Sequence, residues 1–75
     1  MEPNILKAKI IQNGFNTRNF VKLLSESGAS MNTATFYRKL NGTSEFTQTE
    51  ISVIAKVLDL NPTDIMDIFF TANVS

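Results

Sequence analysis

An all-α fold of five short helices around one core is predicted by three observations. Apolar residues recur at spacings of three and four in five successive windows, the period of an amphipathic helix. Asn or Thr precedes four of these windows and Asn-Gly closes two, the start and stop signals of helices. Neither flank of Asn41-Gly42 alternates polar with apolar residues, so that pair is a helix end and not a hairpin turn.

The first helix spans about residues 4–12: Leu6 and Ile10 lie four apart with Ile5 and Ile11 flanking, and Asn13-Gly14 stops it. Asn16 or Thr17 caps the second, about 17–26, whose Phe20, Leu23 and Leu24 form an apolar stripe. Asn32 caps the third, about 33–41. Its inward side carries Thr33, Phe36 and Leu40, and its outward side carries Ala34, Arg38 and Asn41, with Thr35 and Tyr37 at the edges. Thr47-Gln48-Thr49-Glu50 is a capping box that opens the fourth helix, with Ile51, Ile54, Ala55 and Leu58 on one stripe. Val53 and Val57 add a second stripe, which places this helix centrally or against a second subunit. Asn61-Pro62-Thr63-Asp64 reads as a cap, a proline at the first helical position and an acid in the first turn of the fifth, about 62–70. Ile65, Ile68 and Phe69 face inward on it, and Thr71 to Ser75 are expected to fray.

At 75 residues the chain is expected to be one domain, with its core over about residues 4–70. A content of 43% hydrophobic and 19% charged residues is that of a folded chain, not a disordered one. Without a bilayer-length apolar run or a signal-peptide layout, the expected location is the cytoplasm. Having no cysteine and no histidine removes thiolate chemistry, the usual general base and the commonest metal ligand. The seven acids are scattered, without dyad or calcium-loop spacing. No enzyme, cofactor or metal site is therefore expected.

The net charge of zero conceals an asymmetry. Residues 1–42 carry Lys7, Lys9, Arg18, Lys22, Arg38 and Lys39 against Glu2 and Glu26, whereas residues 43–75 carry Lys56 against Glu45, Glu50, Asp59, Asp64 and Asp67. The N-terminal half is thus suited to an anionic partner.

The ordered set Gly14-Phe15, Phe20-Val21 with Leu24, "TFYRKLNG" at 35–42, "EFTQTEI" at 45–51 and "IAKVLDLNPTDI" at 54–65 resembles the lambda-repressor-like helix-turn-helix family of the Cro/CI or XRE type. The last two segments are similar to small repressor-type regulators of phages and related mobile elements in Gram-positive bacteria. The resemblance runs from about Leu6 to Phe70. One departure is the stretch from Val21 to Asn32, longer than in that family and filled by "SESGAS" at 25–30. Either the second helix gains a turn over 27–30 or the connector bulges into a loop.

What the resemblance implies is a transcriptional regulator of double-stranded DNA, acting in a bacterial host cell and reading the major groove with its third helix. Arg38 has the fork to bond guanine O6 and N7, and the methyl groups of Thr33, Ala34 or Thr35 can meet a thymine methyl. Asn16, Thr17 and Arg18, where the second helix starts, are expected at a phosphate, as are Asn41 and Thr43 after the third. Tyr37 either donates its hydroxyl to a phosphate or packs on the core, while Lys22 and Lys39 are weaker phosphate candidates. Met66, Phe69 and Phe70 either join two subunits on paired half-sites or close the core under the first helix. With no second domain in view, a short Cro-like regulator is expected. The alternative is a protein-interaction module on the same scaffold, an antirepressor or adaptor.

Overall fold

The computed structural model describes residues 3–70, and the Thr71–Ser75 tail lies outside them. Five α-helices follow one another: α1 Pro3–Gln12, α2 Thr17–Glu26, α3 Thr33–Leu40, α4 Gln48–Val57 and α5 Pro62–Phe69. No strand occurs among the described residues. α1 starts one residue earlier than expected because Pro3 takes a first-turn position, where its missing N–H costs nothing. Side chains cap the other four. Asn16 accepts from the Asn19 amide at 2.8 Å, Asn32 from that of Thr35 at 2.7 Å, Thr47 from that of Glu50 at 3.1 Å and Asn61 from that of Asp64 at 2.7 Å. Of the two caps open for α2, Asn16 is therefore the one used. Glu50 and Asp64 return the bond to the amides of Thr47 and Asn61, completing two capping boxes.

The lengthened connector is a loop. α2 stops at Glu26, and the Ala29 amide bonds back to the Leu24 carbonyl at 2.8 Å, across Gly28 at φ +107°. This is the six-to-one closure that a left-handed residue permits. Ala29 is buried beside the core, and the Ser25 hydroxyl spans the loop, donating to the Met31 carbonyl at 3.2 Å and accepting its amide at 3.4 Å. The same closure ends α4 at Leu60 to Ala55, 2.9 Å, but there the left-handed residue is Asp59, at φ +54°.

Leu6, Ile10, Phe20, Val21, Leu24, Phe36, Leu40, Ile54, Leu58 and Ile68 make the core with Ala29. On α2, Val21 is buried where Leu23 was expected, and Leu23 is only half-buried. A row of rings crosses the core: Phe15–Phe20, Phe20–Phe36, Phe36–Phe46 and Phe46–Phe69 have centroids 5.8, 5.8, 5.9 and 5.7 Å apart, all tilted or edge-on. Such geometry is the favoured one for aromatic pairs. The row ties α2 to α3, and α3 to α5, through the segment before α4. Val53 and Val57 are partly buried against the core.

Candidate nucleic-acid interface

The sequence of α3 sorts its two sides. Phe36 and Leu40 are buried, whereas Ala34 and Arg38 are exposed and Thr33 and Thr35 are half-buried. Arg38 stands in no ion pair among the described residues. Its carbonyl accepts the amides of Thr43 at 2.9 Å and Ser44 at 3.3 Å, so the chain turns back where α3 ends and leaves Asn41 and Thr43 exposed beside it.

α2 and α3 meet through the Phe20–Phe36 edge contact. In the first turn of α2, the Asn19 amide goes to the Asn16 side chain and the Phe20 amide to the Asn16 carbonyl. The amides of Thr17 and Arg18 have no partner among the described residues, and such groups at the positive end of a helix attract anions. Asn16 and Arg18 are exposed, and Thr17 is half-buried.

Between α1, the start of α2 and α3 lies a concavity of about 350 Å³ that brings Asn16 and Thr17 together with Tyr37. Ile10, Ile11, Phe15, Phe36 and Leu40 give it an apolar floor, and Lys7 stands at its edge. The Tyr37 ring lies 6.3 Å from that of Phe36, and 45% of the residue is exposed. In the sequence Lys7 stands out only as a charge. The signal for it is its place one turn before Ile11 on α1, which puts both on the same side.

Ion pairs between described residues of the oppositely charged halves include Lys9 with Asp64 at 3.6 Å and Lys39 with Glu50. Lys39 therefore differs from its neighbour Arg38. Its ammonium donates to both Glu50 oxygens, at 2.6 and 2.7 Å, with each side chain only 13% exposed. Of the cations in residues 1–42, Lys7, Arg18, Lys22 and Arg38 remain exposed outside any ion pair among the described residues.

Burial by itself would raise the pKa of the Glu50 carboxyl, but the Lys39 ammonium and the Thr47 amide outweigh it and hold the pKa below the ordinary glutamate value. A carboxyl depressed on folding adds stability above its unfolded pKa, about 4.3, and loses it as pH falls through the lower folded value. The thermal midpoint should accordingly drop on acidification below that point. The Glu50→Gln variant should show a shallower acid limb, and an unchanged limb would mean that other carboxyls carry the acid sensitivity.

Of the three residues expected at a subunit contact, Phe69 is half-buried with its ring against Phe46, whereas Met66 and Phe70 are 56% and 53% exposed. Among the described residues no cluster of acids could hold a metal ion, and no helix is long and apolar enough to cross a membrane.

No curated protein and no solved structure matches the chain. The family described as the Cro/C1-type HTH DNA-binding domain matches residues 6–70, from Leu6 within α1 through the end of α5. A buried Phe36–Leu40 stripe, an exposed Ala34–Arg38 side and the α2 start beside it are set on that framework, and the chain belongs to the Cro/C1-type helix-turn-helix DNA-binding family.

Proposed function

We propose that this protein is a sequence-specific regulator of transcription that lays α3 in the major groove of double-stranded DNA. The observation that carries the reading is the sorting of α3, whose exposed side presents Ala34 and an unpaired Arg38 while Phe36 and Leu40 hold the helix to the core. Arg38 reads guanine as a bidentate donor, and Ala34 with the methyls of Thr33 and Thr35 meets thymine. Asn16, Thr17, Arg18 and Tyr37 hold phosphates on one side of α3, with Asn41 and Thr43 on the other. Lys39, held by Glu50, is left out of this set. The exposed Met66 and Phe70 join two copies on paired half-sites, with Phe69 closing the core behind them. The setting is a Cro-like repressor of a phage or mobile element, in the cytoplasm of a bacterial host.

Selection from a random duplex pool, followed by binding of the chosen site over a range of salt, tests this reading. The logarithm of affinity should fall linearly with that of salt, by about 0.9 for each phosphate held. Affinity indifferent to salt, or no duplex chosen at low salt, would sink it.

A second reading, a protein-interaction module on the same scaffold, is favoured by the exposed Ile11, Met66 and Phe70 and by the zero net charge. It predicts no enrichment of any duplex.

A further inference from the structure

We propose that Lys39 and Glu50 are positioning residues for DNA reading: their ion pair sets the roll of α3 about its own axis and thereby aims Arg38. The idea rests on the reading of α3 as the groove helix.

α3 has eight residues, and its fully inward side chains are Phe36 and Leu40, one turn apart on a single stripe. A short helix held along one stripe can roll. At a side-chain radius of about 5–6 Å, a roll of roughly 10° moves a side-chain tip by about 1 Å. That is enough to break a hydrogen bond whose useful range is about half an ångström.

Lys39 is next to Arg38 and so points about 100° around the helix from it, and the far end of Lys39 is fixed. Its Nζ donates to Glu50 Oε1 at 2.6 Å and to Oε2 at 2.7 Å. Oε1 also accepts the Thr47 amide at 2.8 Å, while Thr47 Oγ1 accepts the Glu50 amide at 3.1 Å. One carboxylate thus fastens α3 to the first turn of α4, the capping box serving as the anchor. A desolvated ion pair adds little net stability but can select one arrangement among several, which suits a part whose task is orientation. It also accounts for one of two adjacent cations being exposed and the other turned to a carboxylate.

The experiment compares the selected duplex with a scrambled one for the wild type, Lys39→Met/Glu50→Gln, Glu50→Gln alone and Lys39→Arg, each checked by circular dichroism to be folded at the binding temperature. The double variant removes the pair without leaving a buried charge alone. Glu50→Gln keeps a side chain that can complete the capping box and serves if the double variant does not fold. The ratio of specific to scrambled affinity should fall by about tenfold or more, the share of one bidentate base contact, with the salt slope unchanged. Lys39→Arg should retain most of the ratio. A folded double variant or a folded Glu50→Gln variant with the wild-type ratio would overturn the proposal, as would a salt slope shallower by about 0.9 in the double variant, because Lys39 would then be holding a phosphate. A wild type that prefers no duplex would instead remove the DNA-binding reading, and the positioning role with it.

Discussion

Alanine in place of Phe36 is expected to unfold most of the protein at ordinary temperature. The ring is fully buried and lies 5.8 Å from Phe20 and 5.9 Å from Phe46, so it is the middle link of the aromatic row joining α2, α3 and the segment before α4. Emptying such a site costs about 3–5 kcal/mol in transfer and cavity energy. A chain of 75 residues has a total of roughly 4–11 kcal/mol at its disposal, and small domains tend to the lower end. The measurement is a urea or thermal transition followed by circular dichroism. Phe36→Leu, which keeps most of the volume, should lose clearly less. A Phe36→Ala midpoint within a few degrees of the wild type would show that the row is not the framework on which α3 is mounted.

Alanine in place of Arg38 should do the opposite, leaving the fold intact and changing what the protein recognises. The side chain is exposed and unpaired, so its removal strands no buried group, and the thermal midpoint should barely move. Affinity for the selected duplex should fall by about 1–3 kcal/mol, with preference relaxed at one base pair and kept at the rest. Since 1.4 kcal/mol is tenfold, the effect is read directly from binding isotherms on duplexes altered one pair at a time. Equal loss on every duplex would assign Arg38 to a phosphate and move base reading to Thr33, Ala34 and Thr35.

Helix ends were legible in the sequence because their causes lie within six residues. Asn16, Asn32, Thr47 and Asn61 each satisfy an amide three positions on, so a cap and a boundary are visible in the same short window. The sorting of α3 was legible for a similar reason, since Phe36 and Leu40 reveal the buried side by their spacing alone. What depends on how helices are set against one another was not. Lys39 and Glu50 are eleven positions apart on different helices, and no periodicity marks them as partners. Val21 and Leu23 border the same stripe on opposite sides, so which of them sinks is decided by the neighbours of α2. Phe69, Met66 and Phe70 are equally apolar, and only the position of Phe46 separates the one that packs from the two that do not. The sequence admits two forms over 27–30 because Gly28 is tolerated in a helix and suited to a stop. The bond from Ala29 to Leu24 decides for the stop.

That loop has a mechanical meaning. Its first half is finished by the closure across Gly28 and its second by the Asn32 cap, so neither helix relies on the other for its end. Between them, Ala29 is the peg in the core, and Ser30 is exposed. Adding chain at Ser30 would cost the entropy of a longer closure, about 0.6 kcal/mol for each doubling, together with the Ser25–Met31 hydrogen bonds if they break. The junction therefore works as a spacer of adjustable length, where the interval between the start of α2 and the exposed side of α3 can be reset while the hydrophobic framework stays as it is.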